Sequence, residues 1–188
     1  MTDDLIRCNW CLGDEAYIAY HDAEWGVPIR EVAPLFHLLT LEGMQAGLSW
    51  LTILRKRAAM RDAFHGFDLE RLATSDESDI GKWLTNPDII RHRGKLEAMI
   101  NNAKCVLEMD DFVDFIWQFQ PQKRNAFDHL GAVPAQTAES SAMSKALKRA
   151  GFKFVGPTTC YAFMQSAGLV NDHVTDCWRF ADCESMAS

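Results

Sequence analysis

The chain has 188 residues, of which 48% are hydrophobic and 24% charged, and its formal net charge is −7. This composition predicts a globular protein of one domain, or of two small lobes, and excludes a disordered chain. The negative charge argues against a protein that coats nucleic acid through bulk charge, although it is compatible with a local basic face.

The location of the protein is predicted from its first residues and from its apolar runs. The start, Met1–Asp4, is acidic, and no apolar run reaches membrane-spanning length, so we expect neither a signal peptide nor a membrane span. These features favour the cytoplasm. In that reducing compartment the six cysteines are expected to be thiols or metal ligands rather than disulfides.

The residue patterns, taken in order along the chain, predict an all-α protein. Residues 1–30 are rich in aromatic and ligand-type side chains but show no helical stripe, and 120–139 are predicted to form a connection. No segment shows the alternation typical of a strand. Helices are predicted at 34–46, 50–64, 88–109, 141–150 and 157–167. Three further helices are expected to begin at N-caps, which are Asp68, Ser75 and Asp111.

The helix predicted at 34–46 carries an acid where an apolar residue is expected. Three leucines form a stripe at i, i+3 and i+4, and Glu42 falls on that stripe. A carboxylate facing the interior requires a partner, so Glu42 either lines a ligand pocket or pairs with an arginine in the core. Ser49 is expected to cap the next helix, which begins at Trp50.

The segment 151–156 is a turn with a glycine at each end, between two predicted helices. Backbone N–H groups near Gly151 and Gly156, together with the following helix N-terminus, could hold a phosphate, and Lys153 adds positive charge. The pattern is similar to a helix–hairpin–helix, but the usual inner glycine is not evident. An ordinary turn between two core helices remains the alternative.

Cysteine and histidine residues occur at both ends of the chain. Cys8 and His21 are thirteen residues apart, and His173 and Cys177 are four apart. Such ligands suit tetrahedral zinc, although Cys11 competes with His21 as a ligand. On spacing alone, buried cysteines without a metal are the more common explanation.

Eight motifs together resemble the bacterial 3-methyladenine DNA glycosylase I family, over roughly residues 8–177. The motifs lie at 8–10, 17–22, 24–28, 41–43, 45–50, 90–95, 151–156 and 169–173. Two features depart from the family pattern: Cys11 is not part of it, and the stretch after Cys177 has no recognisable counterpart.

The resemblance implies a fold, a metal and a reaction. It implies a helix–hairpin–helix glycosylase fold in which one structural zinc ties the N- and C-terminal segments together. It implies a monofunctional N-glycosyl hydrolase of base excision repair that acts on double-stranded DNA containing alkylated bases and releases 3-methyladenine. We expect a monomer. The implied zinc ligands are Cys8, His21, His173 and Cys177.

The resemblance also assigns roles to side chains. Glu42 is expected to act on the lesion as the principal catalytic-site residue, in a pocket with Tyr20 and Trp50. Tyr17, Trp10 and Trp25 are expected to be pocket walls or core, with core favoured for Trp25. From the residue types we also expect the wedge that replaces the flipped base at Gly47 and Leu48. DNA contact is expected at Lys153, Gly151 and Gly156, helped by the basic cluster at 91–95, which contains Arg91, Arg93 and Lys95.

The chemistry of the lesion fits these residue types. 3-Methyladenine in DNA is cationic and therefore a good leaving group, so selective capture matters more than strong acid catalysis. Aromatic faces and a carboxylate favour a cation. The family is expected to lack the usual superfamily aspartate, which leaves Asp172 as the acid to test for stabilising the sugar cation. The alternatives are a zinc-stapled DNA-binding module without catalysis and a zinc hydrolase, which requires an open coordination position.

Overall fold

The computed structural model describes residues 5–122 and 126–186, whose regular secondary structure is helical. Within these ranges the single β contact is an isolated parallel bridge between Phe127 and Val174, so the all-α prediction is confirmed. The helices are α1 (Glu15–Ala23), α2 (Val32–Gln45), α3 (Trp50–Ala63), α4 (Leu69–Ala73), α5 (Glu77–Thr85), α6 (Arg93–Leu107), α7 (Phe112–Trp117), α8 (Ala138–Arg149), α9 (Pro157–Ser166) and α10 (Arg179–Met186). Short 3-10 turns span Asn9–Cys11, His65–Phe67 and Leu130–Ala132.

Helix α2 lies at the centre of the molecule. It packs against α3, α6, α7 and α9. Its buried face includes Leu35, Phe36 and Leu39, which belong to a hydrophobic cluster that extends from Cys8 to Cys177. Because α2 is enclosed by neighbours, a polar residue on its inner face is removed from bulk water, and Glu42 occupies that position.

Several helix ends agree with the sequence prediction. The side chains of Ser49, Asp68 and Asp111 each accept a hydrogen bond from a backbone N–H of the helix that follows, as N-caps do. Gly151 follows α8 with a φ of 89°, a conformation that glycine adopts at little cost, and Pro157 is the first residue of α9.

Other predicted boundaries were wrong. The cap of α5 is Asp76, not Ser75, because Asp76 and Asp79 form a reciprocal capping box. Helix α6 begins at Arg93 rather than near residue 88, with His92 as its N-cap. Helices α2 and α8 each begin two to three residues earlier than the predicted positions 34 and 141.

Helices α1 and α10 were not predicted. The buried residues of α1 are Tyr20 and His21, which are polar or amphipathic, so the helix presents no apolar stripe. Helix α10 buries Arg179 and Cys183 and likewise lacks a stripe.

None of the described helices is both long enough and apolar enough to span a membrane.

A cavity beside a cysteine and histidine cluster

A cavity of about 380 Å³ opens beside the C-terminal end of α2. Four structural elements supply its aromatic wall: the turn that holds Trp10, helix α1, the segment after it and the start of α3. Its lining residues are Trp10, Tyr17, Tyr20, Trp25, Glu42, Gln45, Trp50, Leu130, Val133, Ala162, Gln165, Ser166 and Asp172. The cavity therefore brings together all the residues predicted as a base pocket, except those of the wedge.

Glu42 is the buried acid of this cavity. Its side chain is 3% exposed, and its Oε1 accepts a hydrogen bond of 2.8 Å from Ser166 Oγ. Burial raises the pKa of Glu42 to about 8, because the hydrogen bond from Ser166 only partly offsets the loss of hydration. No arginine pairs with Glu42 within the described ranges, so the core ion pair considered from the sequence is not formed.

Four polar atoms around the cavity are buried without a hydrogen-bond partner among the described residues. They are Glu42 Oε2, Tyr20 Oη, Trp10 Nε1 and Trp50 Nε1. A buried polar atom without a partner costs about 1–3 kcal/mol, so such atoms rarely gather by chance. The cavity thus offers one carboxylate acceptor and three N–H or O–H groups to a ligand.

The aromatic walls support one another. Tyr20 packs on Trp50 with ring centroids 5.4 Å apart, and Trp10 packs edge-on against Tyr17 at 5.5 Å and Trp25 at 5.0 Å. The Tyr17 hydroxyl accepts a 3.1 Å hydrogen bond from the backbone N–H of Leu51, which fixes α1 against α3. Trp25, expected in the core, is buried and also lines the cavity.

Asp172 is a second acid at the cavity wall. Its Oδ2 accepts hydrogen bonds of 2.7 Å from the Tyr161 hydroxyl and of 2.7 Å from Gln165 Nε2. Burial raises the pKa of Asp172 above its usual range, against the opposing effect of these two donors. Unlike Glu42, Asp172 already has two donors from the protein.

Some cavity residues were missed by sequence reasoning. Ala162, Gln165 and Ser166 lie at i, i+3 and i+4 on α9, so a search for small and polar residues at helical spacing could have found this face. Leu130 and Val133 belong to an irregular connection, and no periodic signal marks them.

The residues predicted as a wedge lie in the turn between α2 and α3. Gly47 has a φ of 80° and open space around the position of a Cβ atom. Leu48, next to it, is 43% exposed. The turn therefore presents an apolar side chain to solvent next to the residues that line the cavity.

A second site lies behind the cavity wall, where Cys8, His21, His173 and Cys177 meet. All four are buried, and their ligand atoms lie within 4.8 Å of one another. The Cys177 sulfur is 3.4 Å from His21 Nε2 and 3.5 Å from His173 Nδ1, and the Cys8 sulfur is 3.7 Å from the same Nδ1. Tetrahedral zinc bonds of about 2.0–2.3 Å place such ligand atoms roughly 3.5 Å apart, so the residues fit a zinc ion.

The two histidines of the cluster are oriented by further contacts. His21 Nδ1 lies 2.8 Å from Asp22 Oδ1, and His173 Nε2 lies 3.1 Å from the carbonyl oxygen of Trp25. Burial opposes ionisation of Asp22, but hydrogen bonds led by that from Arg7 outweigh it and lower the pKa of Asp22 to about 2. Carboxylates and carbonyls commonly orient metal-binding histidines in this way.

The structure also clarifies the position of Cys11. Its thiol donates to the carbonyl oxygen of Cys8 at 3.1 Å, and the ligand group drawn from the described residues does not include it. Burial raises the pKa of Cys11 to about 11, so its thiol stays protonated.

The turn at 151–156 presents Lys153 and Gly151 to solvent, with Gly156 partly exposed. At the inner position where the usual pattern has a glycine, Phe154 adopts a φ of 57°. Glycine is the residue that most readily adopts this left-handed conformation, so Phe154 holds a glycine-like backbone without being glycine.

The basic segment 91–95 lies beside this turn, since the rings of His92 and Phe154 are 6.0 Å apart. Its members are not equivalent. Arg91 is exposed, while Arg93 is paired with Glu77 at 2.8 Å. Lys95, grouped with them from the sequence, was misplaced: its side chain is buried and donates to backbone carbonyls of the α2 end.

Comparison with known proteins gave consistent matches. A family model described as methyladenine glycosylase matches residues 10–180. The chain is 51% identical over 180 residues to DNA-3-methyladenine glycosylase 1 of Escherichia coli (strain K12), covering 92% of this chain and 96% of the relative. A crystal structure of 3-methyladenine DNA glycosylase I matches with a TM-score of 0.89 and 49% identity, covering 92% of this chain and 98% of that one. Another glycosylase I, a variant in complex with 3-methyladenine, matches with a TM-score of 0.88 and 37% identity, covering 93% and 97% of the two chains.

Proposed function

The chain belongs to the methyladenine glycosylase family, and from this premise we infer that it is a DNA-3-methyladenine glycosylase of DNA repair. It releases 3-methyladenine from alkylated DNA by hydrolysing the N-glycosidic bond. The observation that carries this function is the cavity with an aromatic wall and four buried polar atoms that lack partners in the described parts of the chain. A methylated purine supplies both the π surface and the hydrogen-bonding edge that this cavity requires.

We propose that charge distinguishes the lesion from normal adenine. The lesion in DNA is a cation, and faces of Trp and Tyr attract a cation by about 0.5–2 kcal/mol per contact. Glu42 Oε2 is the free acceptor for the edge of the base. Ionised Glu42 also balances the positive charge, whereas adenine offers donors without charge.

The reaction needs little acid assistance. As the bond between the base and C1′ of the sugar breaks, its electron pair neutralises the cationic purine. The oxygen of a water molecule then bonds to C1′ and gives up a proton to solvent. Asp172 is the acid to test for stabilising the sugar cation, since it lies at the same cavity. Its two hydrogen bonds from the protein fix the position of its carboxyl group.

The nucleotide must leave the duplex to enter this cavity. We propose that Gly47 and Leu48 fill the gap in the base stack that the flipped base leaves. The exposure of Leu48 and the open space around Gly47 support this role, since an apolar wedge must be free to enter DNA.

We propose that the turn at 151–156, between α8 and α9, is a helix–hairpin–helix clamp on the phosphates of double-stranded DNA. Its support is the exposed Lys153 next to backbone N–H groups at the start of α9. Arg91 is available to add positive charge, whereas Arg93 must first exchange its bond to Glu77.

We propose one structural zinc ion, held by Cys8, His21, His173 and Cys177. The support is the buried donor set and its separations of 3.4–3.7 Å. When bound, the ion ties the two ends of the chain together. Four protein ligands leave no coordination position for water, so the zinc hydrolase alternative loses its chemical basis.

The test is release of free base from methylated duplex DNA, with the same duplex unmethylated as control. We expect 3-methyladenine from the methylated duplex and no adenine from the control. Binding of the duplex without release would instead support the non-catalytic DNA-binding module. Light scattering of the same preparation tests whether the protein is a monomer, as we propose.

A further inference from the structure

Lys95 is a lysine whose charged end lies inside the protein. It belongs to α6 and is 6% exposed. Its Nζ donates to the carbonyl oxygens of Met44 at 2.8 Å and of Ala46 at 2.6 Å. The last carbonyls of a helix have no partner within that helix, and the negative end of the helix dipole favours a cation there. Lys95 therefore caps the C-terminal end of α2 from a neighbouring helix.

The two carbonyls that Lys95 holds come directly before the turn that carries Gly47 and Leu48. This turn has one short backbone hydrogen bond of its own, 2.6 Å from the N–H of Leu48 to the carbonyl of Gln45. Burial lowers the pKa of Lys95, so placing an ammonium here has a cost that an exposed lysine does not have. The buried contact holds the backbone immediately before Gly47 and Leu48.

The second half of α6 also holds the turn at 151–156, through two asparagine side chains. Asn102 accepts from the backbone N–H of Lys153 at 2.9 Å and donates to its carbonyl at 3.0 Å. Asn101 donates to the carbonyl of Gly151 at 2.8 Å. Asn102 follows Lys95 seven positions later in the helix, a rise of roughly 10 Å along the helix axis. One helix thus fixes both the wedge turn and the clamp.

We propose that Lys95 is a positioning residue for base extrusion, which rests on the glycosylase function proposed above. Through Met44 and Ala46 it holds Leu48 at a fixed place relative to the phosphate clamp. When the turn at 151–156 sits on the phosphates, Leu48 is then aligned with the base stack. A misplacement of about 1 Å far from the reacting atoms is enough to slow such a step strongly.

The first test replaces Lys95 with methionine, which keeps the length of the side chain and removes its donors. Lys104→Met is the matched control, because Lys104 is exposed on the same helix. We expect Lys95→Met to lower kcat on saturating methylated duplex at least tenfold. Its affinity for free 3-methyladenine, followed by the change in tryptophan fluorescence on binding, should stay within twofold. Lys104→Met should match the wild type in both assays.

A double-mutant cycle with Leu48→Ala separates positioning from general stability. If Lys95 acts through the wedge, the double variant should be no slower than the slower single variant. Independent, multiplying losses would overturn the proposal, as would a parallel loss of free-base affinity. Should Lys95→Met fail to fold, Lys95→Leu, which also lacks donors, replaces it, and wild-type kcat in that variant would also overturn the proposal. Failure of the wild type to release any base would reject the glycosylase function itself.

Discussion

The cavity and the cysteine and histidine cluster lie back to back, and neighbouring residues serve one or the other. Tyr20 lines the cavity, whereas the next residue, His21, belongs to the cluster. Likewise, Asp172 lines the cavity and His173 belongs to the cluster. In the cluster, both ring nitrogens of each histidine have a contact. Around the cavity, four buried polar atoms find no partner in the described ranges.

This difference is the one expected between a structural site and a recognition site. Polar groups that the protein satisfies by itself add rigidity and define where the chain ends meet. Polar groups left unpaired cost stability and persist where a ligand completes them. The following predictions test whether the two sites can be separated by mutation.

The largest effect is expected when a ligand of the cluster is removed. Cys177→Ala should abolish zinc binding and lower the melting temperature by about 10 °C or more, because binding and folding of such a site are coupled. The residual folded protein should still bind free 3-methyladenine. Elemental analysis and calorimetry measure the two quantities.

Cys11→Ala is the control for that experiment, because Cys11 is buried nearby and lies outside the ligand group. It should keep one zinc per chain. Absence of metal from the wild type, or an unchanged melting temperature in Cys177→Ala, would reject the structural zinc.

The second effect concerns the dependence of stability on pH. The folded-state pKa of Glu42, about 8, lies above its ordinary value of 4.5, so the folded protein keeps this proton while the unfolded chain loses it. Stability is therefore lost as pH rises from about 4.5 to 8, by about 3–5 kcal/mol from this residue. Glu42→Gln removes that contribution, so it should be the more stable protein at pH 8.5 and nearly equal at pH 4.5. Denaturant titrations at both pH values provide the check.

The third effect is on activity. Glu42→Gln keeps the shape of the side chain and removes its charge. The variant should lose about 1.5–3 kcal/mol of transition-state stabilisation, so kcat/KM for release of 3-methyladenine should fall roughly 10- to 150-fold. In the wild type, kcat/KM should rise with pH until about pH 8, because the ionised carboxylate is the form that favours a cation. A large drop in melting temperature with normal release would make Glu42 a structural residue instead.

The smallest effect is expected at the clamp. Lys153→Glu should weaken duplex binding about tenfold and reduce the slope of log affinity against log salt by about one. Lys82→Glu, at an exposed position of α5, is the control of equal charge change and should have little effect. Equal slopes for the two variants would place the DNA contact elsewhere.

Much of this arrangement was visible in the sequence. The apolar stripe of α2 identified Glu42 as an anomaly, and glycines, prolines and capping residues marked several helix ends correctly. These signals are local, because they depend on residue types and their spacing along the chain. The motif resemblance then supplied the family, which the comparisons confirmed.

What the sequence could not supply depends on tertiary contacts. Helix α1 buries Tyr20 and His21, so its inner face is not apolar and periodicity fails to detect it. Lys95 follows two arginines in the chain and looked like part of a basic patch. Only packing of α6 against α2 shows that it turns inward. Leu130 and Val133 reach the cavity from an irregular connection that carries no repeating pattern.

The central claim is that the acid of the cavity lacks a charge partner until the lesion arrives. NMR of the 13C-labelled carboxyl group of Glu42, assigned with Glu42→Gln, tests it directly. In the free protein this carboxyl should titrate near pH 8. In complex with a duplex that contains 3-methyladenine on a 2′-fluoro sugar, which slows cleavage of the glycosidic bond, the Glu42 carboxyl should be ionised at pH 7. A pKa near 4.5 in the free protein, or a carboxyl still protonated in the complex at pH 7, would contradict the account.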